Sequence, residues 1–226
     1  MNFNKINTAI QASKAETLNT GEYPKALFFK PKGGTNTLRI LPEHPVKNPD
    51  GFTNYTIHWG VGDYPVMCEL SRGKANCCIH EVFEAVRANT DPLLAELAAK
   101  ISKSIRPVNR WVFNVIDRKN EALGPQVWEI TAYSLRDALL SMFKLDPQYT
   151  DINEGRDFSF NFTGKKYDSY DSSDKCPLAR SPALAQQWID SQANLIAMMK
   201  RKEVETSELE ELITTISGID KFIEFE

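Results

Sequence analysis

Apolar and polar residues alternate along several short segments of the chain, which is the pattern of half-buried strands. Residues 157–164 alternate strictly, with three phenylalanines on one face and small polar residues on the other. Residues 110–118 and 126–133 are rich in β-branched and aromatic residues, and the turn between them predicts a hairpin. A turn at residues 164–166 predicts that the chain returns as a second hairpin.

The N-terminal part of this pattern also predicts strands, at residues 26–31 and 37–42, with a glycine-rich turn at 32–36 between them. Residues 48–56 are typical of a loop.

Apolar residues at steps of three and four predict helices elsewhere. These helices cover residues 81–104, 134–143 and 182–215, and residues 3–19 have the pattern of a short polar helix. Asp91 and Pro92 predict a second helix start within the first of these segments. Strands mixed with short helices, without a strand-helix-strand rhythm, indicate an α+β barrel or sheet with peripheral helices.

The composition fits a folded protein. The chain has 226 residues, of which 42% are hydrophobic, and this is enough for a core. No apolar run is long enough to span a bilayer, and the first residues lack the apolar segment of a signal peptide. We therefore expect a cytosolic protein that does not enter membranes.

The charge is unevenly distributed. Residues 201–226 carry eight acidic and three basic side chains, whereas the rest of the chain has a slight basic excess. This asymmetry indicates either a solvated C-terminal helix or a segment that competes with a polyanion or docks a partner.

Clustered cysteine and histidine residues indicate a metal site. His58, Cys68, Cys77 and His80 have a spacing in which the last pair, CxxH, reaches one ion from a tight turn. Two thiolates with two imidazoles suit tetrahedral Zn²⁺, and four protein ligands predict one structural ion. Cys78 is a rival ligand, and the alternative to a metal site is a pair of chance thiols beside a surface histidine.

No catalytic motif is present in the sequence. His80 and Glu81 begin like HExxH, but residue 84 is glutamate, so the metalloprotease motif fails. A reactive Cys/His pair remains an alternative. We expect no enzymatic activity.

Basic and aromatic residues interleave in several of the predicted strands, as in proteins that hold single-stranded nucleic acid by its phosphates and base faces. Residue by residue, the alternative is ordinary structure. The phenylalanines of residues 157–164 share a face typical of a core, and Trp111 has a similar position in its strand.

Three motifs together resemble a known family. They are FFKPKGGTNTLRILPEH, then HW…C…CCIHE, and finally DINEGRDFSFNFTGKKYDSYDSSDKCPL. Their order and spacing are similar to those of phage single-stranded-DNA-binding proteins of the T-even helix-destabilising type. The last zinc ligand departs from this family, because His80 stands where the family has cysteine.

The resemblance implies an α+β fold with an OB-fold β-barrel core, an inserted zinc subdomain and peripheral helices. We expect a helical segment over residues 1–20, the core over 21–181 with the zinc subdomain at about 57–104, and an acidic helical segment over 182–226. The family uses its acidic C-terminal segment to contact replication and recombination proteins. Its N-terminal segment supports self-assembly, for which residues 1–20 carry only two basic side chains.

The function expected from this resemblance is sequence-independent binding and protection of single-stranded DNA during phage replication, recombination and repair, in the cytoplasm of the infected bacterium. Weak self-association is expected at most. The expected DNA contacts are Lys30, Lys32, Arg39, Trp59, Arg72, Arg110, Lys165, Lys166, Tyr167 and Tyr170. The alternatives are a zinc-ribbon adaptor that binds protein and a metal-dependent nuclease.

Overall fold

A computed structural model describes residues 27–62, 65–200 and 204–223 of the chain. The helical segment expected over residues 1–20 lies outside the described residues.

The chain divides into two compact units. Of the described residues, the larger unit comprises 27–53 and 111–197, and the smaller unit comprises 54–62, 65–110, 198–200 and 204–223. The segment expected to bind zinc lies in the smaller unit.

The strands form a mostly antiparallel, open sheet. They are β1 (Gly34–Ile40), β2 (Phe52–His58), β3 (Val66–Met67), β4 (Pro107–Asp117), β5 (Gln126–Ile130), β6 (Asp157–Phe162) and β7 (Tyr167–Ser172). β4 pairs with β5 and with β1, which continues through β6 to β7, while β2 neighbours β3 and β4. Both predicted hairpins, β4–β5 and β6–β7, are confirmed. The α+β class is confirmed as well, whereas a barrel is not, because the sheet is not closed.

The helices are α1 (Cys78–Ala88), α2 (Ala95–Ile105), α3 (Tyr133–Leu145), α4 (Pro182–Asp190), α5 (Leu195–Lys200) and α6 (Thr206–Thr214). Residues 182–215, which are predicted to be helical, contain three of these helices, and the non-helical residues 191–194 separate α4 from α5. The predicted helix start at Asp91 is wrong. The side chain of Asp91 accepts a hydrogen bond from the Leu93 amide at 2.8 Å and forms a turn, and α2 begins only at Ala95.

Two strand predictions need correction. Residues 48–56 were expected to be a loop, but β2 begins at Phe52, immediately after a turn at Gly51 with a positive φ of 75°. The Phe52 ring stacks on Trp111 with ring centroids 5.1 Å apart, so the aromatic contact outweighs the turn-rich composition. Residues 26–31 were expected to be a strand, but the described part of this segment forms only a bridge from Phe28 to Val127.

The core of the larger unit is aromatic. Phe158 and Phe160 on β6 are completely buried, as their alternation predicts, and Phe160 stacks on Trp128 with ring centroids 5.4 Å apart. Phe162 follows on the same face but is only half-buried, because β6 ends there. The face of β6 therefore changes from core to rim along its length.

A buried arginine is the second organising feature of the larger unit. Arg39 on β1 is fully buried, and its Nη2 donates to the carbonyls of Asp151 at 2.7 Å and Cys176 at 3.0 Å. Its Nη1 lies 3.4 Å from the carboxylate of Asp157. The prediction that Arg39 contacts DNA is therefore wrong, because its side chain is fully buried and binds internal oxygens.

The loop around this guanidinium requires a glycine. A Cβ atom on Gly155 would lie 2.5 Å from Arg39 Nη2 and 2.4 Å from the Asp151 carbonyl. Asp157 is also held by Arg118, whose Nε and Nη2 each donate to it at 2.9 Å. Burial opposes the charge of Arg118, but these hydrogen bonds raise its pKa.

Replacing Arg39 tests its structural role. Arg39→Met keeps most of the apolar volume but removes the buried guanidinium from the oxygens of Asp151, Asp157 and Cys176, so we expect the free energy of unfolding to fall by about 3 kcal/mol or more. Urea denaturation measures this loss. The matched variant Arg180→Met changes an exposed arginine of the same unit, and its effect should stay within about 0.5 kcal/mol. A loss below about 1 kcal/mol for Arg39→Met would contradict the buried role.

Candidate functional site

Four potential metal ligands meet in the smaller unit. His58 ends β2, Cys68 follows β3, and Cys77 and His80 flank the first residues of α1. One ligand atom from each lies within 4.8 Å of all the others. The pairing of His58 with Val66 turns the chain back after β2, which brings Cys68 towards His58. The group can hold a metal ion, as its spacing predicted.

The distances between ligand atoms fit a tetrahedral ion. Cys68 Sγ lies 3.2 Å from His80 Nδ1, and Cys77 Sγ lies 3.6 Å from His58 Nε2. Zinc bonds of about 2.3 Å to sulfur and 2.0–2.1 Å to nitrogen separate neighbouring ligands by roughly 3.3–3.8 Å. The donor atoms are therefore almost as close as zinc coordination requires, without rearrangement of the backbone.

The surroundings orient one imidazole. His58 is completely buried, and its Nδ1 lies 2.9 Å from the carbonyl oxygen of Ile105 at the end of α2. A proton on Nδ1 donates to this carbonyl and leaves the lone pair of Nε2 directed at the cluster. Such an outer hydrogen bond fixes the tautomer of a metal-binding histidine.

The two thiols of the cluster form a coupled pair. The hydrogen bond with Cys68 lowers the pKa of Cys77, against the effect of burial, and the hydrogen bond with His58 adds to the lowering. The same contact with Cys77 raises the pKa of Cys68, as does burial. A cation bound by both sulfurs would replace the thiol protons and stabilise both thiolates.

Cys78, the rival ligand in the sequence, lies outside this group. It is half-buried against apolar side chains of the smaller unit, and burial raises the pKa of its thiol to about 12. His80 therefore supplies the fourth donor. Cys176 lies apart in the larger unit, where its Sγ is 3.4 Å from Arg39 Nη1.

A buried glutamate supports the loop between the ligands. The carboxylate of Glu69, next to Cys68, accepts hydrogen bonds from Lys74 Nζ at 2.8 Å and from the Cys78 amide at 3.3 Å. It also accepts one from Thr206 Oγ1 at 2.5 Å. Burial alone would raise the pKa of Glu69, but these donors lower it to about 2.

The predicted DNA contacts in the larger unit separate into two kinds. Lys30, Lys32, Lys165 and Lys166 are exposed. Tyr167 and Tyr170 are half-buried instead: Tyr167 stacks on Phe162 with centroids 4.8 Å apart, and Tyr170 stacks on Phe158 at 6.4 Å. Both tyrosine rings therefore pack against phenylalanines, and Tyr167 lies beside Phe162 at the rim of the sheet.

Strand register brings two of these lysine groups to one end of the sheet. Gly34 pairs with Phe162, and Phe162 pairs with Tyr167, so Lys32 and the Lys165–Lys166 turn lie at the same end of β1, β6 and β7. The Lys119 side chain joins them, donating to the carbonyl of Thr35. We call Lys32, Lys119, Lys165 and Lys166 the basic sheet end.

The sequence reasoning missed two members of this region. Lys119 was overlooked because the pairing of β1 with β4 was not predicted. Phe162 was assigned to the core with its neighbours, although its position at the end of an alternating strand was a signal that it lies at the rim.

The remaining predicted contacts, Trp59, Arg72 and Arg110, belong to the smaller unit. Trp59 is exposed, and Arg110 is half-buried on β4. Arg72 is engaged within the unit, since its Nη1 donates to the carbonyl of Val204 at 2.6 Å. Arg72 therefore fastens the C-terminal segment, which argues against its predicted role as a free cation.

Comparison of the chain with models of protein families gives no match. Comparison with curated proteins gives none either. Within the described residues, no helix has both the length and the apolar character needed to cross a membrane.

Metal content tests the centre directly. We expect about one zinc ion per chain, and Cys77→Ser should lose it because one of four ligands is removed. Cys78→Ser is the matched control, changing the neighbouring thiol that lies outside the group, and it should keep the full content. Elemental analysis of folded, purified protein measures both. Zinc-free wild-type protein, or equal loss in the two variants, would rule out this ligand set.

Proposed function

We propose that the chain binds single-stranded DNA without sequence preference, through the basic sheet end of its larger unit. The observation that supports this most is the register of β1, β6 and β7, which gathers lysines distant in sequence around the stacked Phe162–Tyr167 pair. Cations beside rim aromatic rings are the two components that hold unpaired strands.

The charges at this end favour a polyanion. Lys32, Lys165 and Lys166 are exposed, and within the described part of the chain none of them forms an ion pair. The nearby carboxylate of Asp168 on β7 accepts hydrogen bonds from Asn161 Nδ2 at 2.9 Å and Ser169 Oγ at 3.1 Å. The lysines keep their charge available for phosphates, which release counterions on binding.

In the proposed function, the fold presents the binding surface and the metal ion stabilises the structure. A partly open OB-fold binds nucleic acid on a strand face and its adjoining loops, and we propose that the open sheet of this chain is a fold of that kind. A zinc ion held by His58, Cys68, Cys77 and His80 has four protein ligands and no open position, which favours a structural role over a nuclease.

The salt dependence of binding tests the proposed surface. We expect an oligo(dT) titration, followed by tryptophan fluorescence or anisotropy, to show an affinity that falls as salt rises. The double variant Lys165→Gln/Lys166→Gln loses two phosphate contacts. The negative slope of log affinity against log salt should therefore become shallower by about 1.4.

The control for this experiment removes the same charge elsewhere. Lys100→Gln/Lys103→Gln changes two exposed lysines of α2 in the smaller unit, and the slope should stay at the wild-type value. An identical slope in both double variants would refute the basic sheet end as the binding surface. Absence of any binding to oligo(dT) would favour the protein adaptor, and cleavage of the strand with added divalent ions would favour the nuclease.

A further inference from the structure

The C-terminal segment is a folded part of the smaller unit. Residues 204–223 contain α6 and a short 3-10 helix, Ile219–Lys221, although they are strongly acidic. Leu209, Ile213 and Ile219 are almost completely buried, and they belong to the same apolar cluster as the ligands Cys68 and Cys77. The segment thus completes the core around the candidate metal centre.

Polar contacts fasten the start of this segment to the loop between the ligands. Thr206 Oγ1 donates to the carboxylate of Glu69, which follows Cys68 and also binds the first amide of α1. Arg72, at the end of the same loop's 3-10 helix, donates to the carbonyl of Val204. Both anchors lie on the loop that runs from Cys68 to Cys77.

Close apolar contacts fasten the rest of the segment. A Cβ atom on Gly62 would lie 3.1 Å from Leu212 Cδ2, so the loop after His58 passes directly over α6. A Cβ atom on Gly218 would lie 3.0 Å from Leu97 Cδ2, so the residues after α6 pass equally close to α2. At both glycines the backbone therefore packs closely against a leucine side chain.

The loops that receive the segment have little regular structure. Among the described residues between His58 and Cys77 there are only the two-residue strand β3 and one 3-10 helix. A metal held by both ends of this stretch would fix the positions of Gly62, Glu69 and Arg72 together. The surface that receives α6 would then depend on the metal.

We propose that metal binding and docking of residues 204–223 are thermodynamically coupled, so that loss of the metal releases the C-terminal segment. Release exposes the apolar face of α6, whose acidic side chains are already exposed in the docked state. The coupling is reciprocal, because the factor by which bound metal favours docking equals the factor by which docking raises metal affinity. This proposal does not depend on DNA binding, but it requires the metal centre.

Full-length variants on the segment test the coupling without altering a ligand. Leu209→Ala loosens the buried face of α6, and Thr206→Val removes the hydroxyl that donates to Glu69 while keeping its volume. We measure zinc affinity by competition with a chromophoric chelator. Leu209→Ala should weaken zinc binding by a factor on the order of 5 to 150, and Thr206→Val should weaken it less, in the same direction.

The control variant is Glu210→Gln, which changes an exposed side chain on the same helix and should leave zinc affinity unchanged. Hydrogen exchange gives the reciprocal measurement: zinc removal should speed exchange in residues 204–223, whereas α3 in the larger unit should keep its rates. Zinc affinities equal to that of the control for both Leu209→Ala and Thr206→Val would overturn the coupling, as would unchanged protection of 204–223 in metal-free protein. Wild-type protein that binds no zinc would overturn the metal centre and the coupling with it.

Discussion

The close approach of two thiols and two imidazoles is the constraint on which the smaller unit depends. Four donor atoms lie within 4.8 Å of one another, and three of the four residues are buried. Without a cation, this arrangement must be held by thiol–imidazole hydrogen bonds alone, with charges withdrawn from water at a cost. A tetrahedral ion would neutralise the thiolates and accept one lone pair from each of the four donor atoms, so its binding energy would become folding energy for the surrounding loops.

The larger unit satisfies a similar requirement with its own cation. Arg39 lies where Asp151, Asp157 and Cys176 converge, and its buried guanidinium is satisfied by their carbonyl and carboxylate oxygens. Two of the sequence motifs singled out above meet at this point, one contributing Arg39 and the other the loop with Gly155. The motifs therefore describe a packing arrangement in this chain, and the fold they imply does not require Arg39 to reach a ligand.

The sequence predicted which residues close along the chain come together, but it did not predict contacts between residues far apart in the chain. The four metal ligands occupy one short stretch, so their spacing alone predicted the group and left only Cys78 as a rival. Arg39 was misassigned because its partner Asp157 lies 118 residues away, and an arginine on a strand looks the same whether it is buried or exposed. The helical periodicity of α6 was visible in Leu209 and Ile213, but nothing in the sequence showed that this face packs beside the metal ligands.

The buried arginines and the exposed lysines of the larger unit differ in whether their N–H groups already donate to protein oxygens. Arg39 and Arg118 bind internal oxygens, so an external phosphate would have to break a buried network before it gained a contact. The lysines of the β6–β7 turn remain hydrated and can exchange water for phosphate at little structural cost. Binding that uses only such rim cations is weak for each contact and strongly sensitive to salt, and the stacked Phe162–Tyr167 pair beside them offers bases a surface that does not discriminate sequence.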